Sequence, residues 1–151
     1  MRKCLRVLAV LTLVAASPIV FAEAPVNPAR DTIHGVVAYL APTEEAPEDA
    51  EGGAIIAYLP GVGKVIVFGG VDGLEGDGGY DLRVAVRKEG EDTQIQELDS
   101  FWMRDGCGWL IETLDGLGDF NVVQVTKGDT VYLTSWEGEG GWLKNFELNV
   151  D

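Results

Sequence analysis

The chain has 151 residues and a formal net charge of −14, from 25 Asp and Glu against 11 Lys and Arg. Phosphate recognition runs on Lys and Arg, so this balance argues against nucleic acid and anionic membrane surfaces as partners. At 46% hydrophobic the chain has enough apolar content for a packed core, which sets it apart from a disordered acidic tail; its 20 glycines are about twice the usual share.

The first expected element is an export signal over residues 1–22. Arg2, Lys3 and Arg6 precede an apolar run from Leu5 to Ala16, and Val20-Phe21-Ala22 supplies the small residues of a cleavage site. The run falls short of the ~20 residues that a spanning helix needs. Cleavage before Glu23 leaves a chain with no membrane span and a net charge of −17, in the periplasm or secreted. Cys4 leaves with the signal, so Cys107 is the sole cysteine of the mature chain and has no partner for an internal disulfide.

Residues 23–32 read as a flexible leader with Pro25 and Pro28, and 33–151 as one β-domain. Within it β-branched and aromatic runs alternate with Gly and Asp turns. Strands are expected at about 33–41, 53–60, 63–71, 79–88, 94–104, 108–115, 120–127, 129–137 and 142–150. Asp81 to Arg87 alternates most cleanly, with Leu82, Val84 and Val86 on one face. Thr43 to Gly53 carries five acids and Pro47, and reads as an exposed loop or one loose turn. Turns are marked by Gly61-Val62-Gly63, Asp77-Gly78-Gly79, Asp105-Gly106, Lys127-Gly128-Asp129 and Gly138 to Gly141. No helix-period segment is visible after the signal. The expected fold class is all-β: an Ig-like or Greek-key antiparallel β-sandwich of about seven to nine strands.

From Gly53 to about Ser135 the chain resembles the extracytoplasmic β-sandwich of anti-sigma-K-type factors. The resemblance rests on a short strand (Ala54–Leu59), an apolar strand (Val65–Val71), a Gly73-Leu74 turn and the strand start Tyr80-Asp81-Leu82-Arg83. A later Asp105-Gly106 turn and the Val122–Thr126 strand extend it. Arg83 stands where that family usually has Trp, and the family's sigma-binding segment and membrane helix have no counterpart. The resemblance implies an Ig-like sandwich and does not carry over sigma-factor regulation.

Catalytic motifs are not apparent, and no catalytic residue is assigned. His34 is the single histidine, and Ser100 and Ser135 lack a Gly-x-Ser-x-Gly setting. A nucleophilic pair would need the fold to bring Cys107 to His34. One histidine and one mature cysteine cannot build a four-ligand zinc site. Calcium, which takes oxygen ligands, is the metal cofactor these acids suit, with Asp72, Glu75 and Asp77 in the Gly-rich 72–77 loop as its candidate ligands. Solvation and turn formation explain the same acids. Glu97, Asp99 and Glu112 are the candidates for paired carboxylates of a glycosidase-like hydrolase, with Glu112 pointing the same way as Leu110 and Leu114.

All four tryptophans lie in the last third: Trp102, Trp109, Trp136 and Trp142. Exposed Trp stacks on sugar rings or anchors partner proteins. Trp136 and Trp142 flank a Gly-rich turn, which places them for contact across a hairpin. Together with Trp102 they form the candidate aromatic binding patch. The reading is therefore an exported binding or interaction module with a protein or glycan partner in the envelope or exterior. The alternatives are a small carboxylate-dependent hydrolase and a purely structural envelope domain.

Overall fold

The computed structural model describes residues 32–149. The signal and leader lie outside the described residues, except that Thr32 opens the first strand. The described residues contain ten strands: β1 (Thr32–Pro42), β2 (Glu51–Leu59), β3 (Lys64–Asp72), β4 (Asp81–Lys88), β5 (Glu91–Ser100), β6 (Trp102–Arg104), β7 (Cys107–Leu114), β8 (Val122–Lys127), β9 (Thr130–Thr134) and β10 (Trp142–Asn149). One three-residue 3-10 turn, Glu137–Glu139, precedes β10.

Every strand pairing is antiparallel, in the order β5-β4-β8-β9-β1-β2-β3-β7-β6, with β10 also on β1. This confirms the all-β antiparallel class. The sheet curls into a half-barrel whose two halves face each other over one core. Two corners make the curl. At the first, β1 serves both halves: Thr32 to Tyr39 pair with β10, and Ala41 and Pro42 pair with the end of β9. At the second, β5 and β6 stand at opposite ends of the pairing order yet are joined by Phe101 alone. The sequence reads 94–104 as one strand because its β-propensity is continuous; the structure breaks it at Phe101, where the chain passes from one half to the other.

Alternation explains the core. Leu40, Val67 and Val71 from one half meet Leu82, Val84, Val123, Val125 and Leu133 from the other, all essentially inaccessible to water. Tyr80, Phe101 and Leu110 fill the space near the second corner. The acidic segment after β1 is a series of turns tied down at its start, where Thr43 donates its N–H to the Tyr132 carbonyl at 2.9 Å and its hydroxyl to the Val131 carbonyl at 2.7 Å. β2 begins at Glu51, earlier than the acid-rich composition implied, because Glu51 to Gly53 pair with Gly70 to Asp72 of β3.

Candidate functional site

Two surfaces have the shape of recognition sites. The first is a pair of exposed tryptophans. The β6–β7 hairpin turns at Asp105-Gly106, with both residues at positive φ, and its register sets Trp102 opposite Trp109. Directly opposed residues project from the same face of a sheet. Their ring centroids are 6.2 Å apart and the planes are tilted by 56°. Trp102 is 78% exposed and Trp109 51% exposed, and Ile111, two residues along β7, is 62% exposed. Arg104 and Asp105 stand fully solvated beside them and form a polar rim.

The three tryptophans of the expected patch are not brought together. Trp142 stands opposite Tyr39 and stacks on it, centroids 6.1 Å apart, and the Lys144 Nζ lies 5.0 Å from its ring centre. Trp136 is half-buried under the Arg87 guanidinium, 5.3 Å away, and its backbone N–H donates to Thr134 Oγ1. Trp136 and Trp142 are not hairpin partners, because β10 turns away from β9 and pairs with β1. Trp102 and Trp142 lie on opposite margins of one half of the sheet, on the order of 20 Å apart at ~4.8 Å per strand. The partner of Trp102 is Trp109, whose role the sequence could reveal only through the hairpin register.

The second surface is a cavity of about 490 Å³ at one end of the half-barrel. A single row of the sheet builds its mouth: Glu147 of β10, His34 of β1 and Tyr58 of β2 are opposed residue to residue. His34 Nδ1 lies 3.6 Å from Glu147 Oε1, an ion-pair separation longer than a hydrogen bond. Val36, Ile56, Val65 and Phe146 line the cavity deeper in, and the 115–121 loop adds Leu117 and Phe120. That loop is held from the other half of the sheet. Gly118 N–H donates to Gln96 Oε1, Asn121 N–H to the Ala85 carbonyl, and the Asn121 side chain exchanges hydrogen bonds with the Arg87 backbone. At the loop's start the Lys64 ammonium bonds the Asp115 carboxylate. That hydrogen bond, then its charge, holds the Asp115 carboxyl below its usual range. Glu147 is the one carboxylate, and no Lys or Arg occurs, among the described lining residues.

The other candidates have local structural partners. Leu74, in the middle of the 72–77 loop, is buried in the core and its N–H donates to the Gly106 carbonyl. The Glu75 carbonyl accepts the Tyr80 hydroxyl at 2.8 Å. The Asp72 Oδ1 lies 3.3 Å from Cys107 Sγ, and Asp77 is exposed. Among the described residues no three His, Cys, Asp or Glu side chains converge as a metal-holding group, so Asp72, Glu75 and Asp77 do not form one. Cys107 is half-buried and is not a free thiol in this structure. His34 and Cys107 are far apart: the row of His34 reaches β7 at Leu114, three strands over, and Cys107 opens that strand seven residues earlier, roughly 24 Å further along β7. Glu112 shares the face of Leu110 and Leu114 as its alternation implied and is half-buried, whereas Glu97 and Asp99 are exposed on β5. Strands β5 and β7 are not hydrogen-bonded neighbours.

Neither a protein-family model, a curated protein nor a solved structure matches this chain.

Proposed function

We propose that this protein is an exported, non-catalytic interaction module that binds a protein partner through the Trp102–Trp109 face. The observation that carries the reading is the exposure of two touching indoles, 78% and 51%, on one face of a hairpin. Exposed apolar patches rimmed by polar groups mark interaction sites, and buried Trp anchors supply much of the energy in protein interfaces. The 56° tilt favours protein over glycan. Successive sugar rings stack on near-parallel aromatic faces, whereas a tilted pair with an aliphatic neighbour, Ile111, forms a notch for an apolar side chain. The N-terminal sequence supports the exported setting, and the acidic surface favours a partner with basic character around its apolar contact.

The test is site-specific photo-crosslinking from position 109 in the native envelope. A defined partner should be captured, and Trp102→Ala should abolish the capture while leaving the melting temperature within a few degrees. Equal capture from Glu89, on the exposed β4–β5 turn, would overturn the reading. Quenching of tryptophan fluorescence by soluble oligosaccharides, lost in Trp102→Ala, would move it to a glycan partner.

A further inference from the structure

We infer that the cavity at the mouth of the half-barrel binds a small amphiphilic cation, an ammonium head on a short apolar body. Its volume of about 490 Å³ lies within the ~300–1,000 Å³ of ordinary ligand pockets. Its depth is apolar, from Val36, Ile56, Val65, Leu117, Phe120 and Phe146. The polar side chains of the lining are those of the Glu147–His34–Tyr58 row and the exposed Asn145, opposed to Val36 on β1. A ligand that fits this division has an apolar body and a single polar head.

The sign of the head follows from the charges. Glu147 is the one acid and there is no Lys or Arg among the described lining residues. Lys64, next to Val65 in the chain, is bonded to Asp115. His34 stands 3.6 Å from one Glu147 oxygen, a distance that leaves the carboxylate room for a closer donor. Tyr58 stands in the same row as Glu147, and aromatic faces attract ammonium groups. A carboxylate or phosphate head would meet Glu147 with no Lys or Arg in the described lining to offset it, and a chain of net charge −14 draws cations toward the site. This site is independent of the Trp102–Trp109 face: no residue of that face lines the cavity.

The experiment compares three probes of one length on the purified protein at fixed ionic strength: octyltrimethylammonium, octanoate and 1-octanol. Binding is read by titration calorimetry, and its place by NMR shifts of the His34 ring and the Phe146 and tryptophan side chains. The ammonium should bind at least tenfold more tightly than octanoate, with shifts at His34 and Phe146. Glu147→Gln removes charge from a side chain about one-third exposed and keeps its shape, and it should erase most of that preference. Val36→Trp should block all three probes, and Trp102→Ala should change nothing. The inference fails if no probe binds, if octanoate or octanol matches the ammonium, if Glu147→Gln leaves the preference intact, or if the shifts fall on the indoles of Trp102 and Trp109.

Discussion

The Phe101 N–H donates to the Tyr80 carbonyl at 2.8 Å, and Phe101 is the single residue between β5 and β6. Its ring is buried in the core, so this one position both turns the chain from one half of the sheet to the other and fills the corner it makes. Phe101→Ala keeps the backbone bond and removes the ring. Loss of a buried phenyl costs about 3–5 kcal/mol. We expect a large fall in the urea midpoint, with Phe101→Leu recovering most of it because the volume is nearly kept. Equal stability of Phe101→Ala and wild type would show that the corner does not depend on the ring.

Tyr80 gives a prediction with a definite sign. Burial, followed by the nearby Tyr132 and Glu75, raises its phenol above the ordinary value of 10.0. The folded state therefore holds this proton more tightly than the unfolded chain does. Stability from this group is complete below pH 10 and declines as pH rises from 10 through the raised folded value. Tyr80→Phe removes the titration and the hydrogen bond to the Glu75 carbonyl. It should cost about 1 kcal/mol at pH 7 and make the decline above pH 10 shallower. Denaturant melts at pH 7, 9, 10 and 11 check both parts.

Asp92 is the centre of a mostly buried polar cluster. Its carboxylate accepts Arg87 Nε at 2.8 Å and Gln124 Nε2 at 2.9 Å, and lies 3.6 Å from an Arg83 terminal nitrogen. Arg83 Nε in turn donates to Gln124 Oε1 at 2.9 Å. The two arginine side chains are only 11% and 16% exposed. Asp92→Asn leaves both guanidinium groups buried without a counter-charge, a loss of about 3–5 kcal/mol. Because the cluster is shielded, the loss should change little between low and moderate salt. A salt-dependent loss would place the pair at the surface instead.

The strands were legible because their signals are local. Alternation in Asp81 to Arg87 and turn residues such as Asp105-Gly106 mark them directly, and the structure places β4 and the β6–β7 turn there. Pairing was not legible, because it joins residues far apart in sequence. Nothing local says that β10 docks on β1 and not on β9, so the sequence suggests Trp136 as the partner of Trp142, whereas its neighbour is Tyr39. The cavity was hidden for the same reason. His34, Tyr58 and Glu147 are unremarkable one at a time and become a row only once β10, β1 and β2 are in register. The Asp92 cluster likewise needs β8 beside β4 to bring Gln124 to Arg83. The break at Phe101 has no composition signal, since an aromatic residue is a good strand former.

Gly35 fixes the floor of the cavity. It is opposed to Phe146 on β10, and a Cβ at this position would fall 2.4 Å from the Phe146 ring tip and 2.5 Å from the Ile56 carbonyl oxygen. The missing side chain is what lets the ring lie against β1. Gly35→Ala should therefore displace the ring and cost about 1–3 kcal/mol, the range for overpacked sites. If the ring is the main obstacle, Phe146→Ala should remove much of that penalty, and the double variant should be more stable than the two single losses added together. If the Ile56 backbone is the main obstacle, the losses should simply add, since a carbonyl in a paired strand cannot move aside as a ring can. Urea unfolding of the four proteins decides between them and shows whether Phe146 can be repositioned without opening β1 from β2.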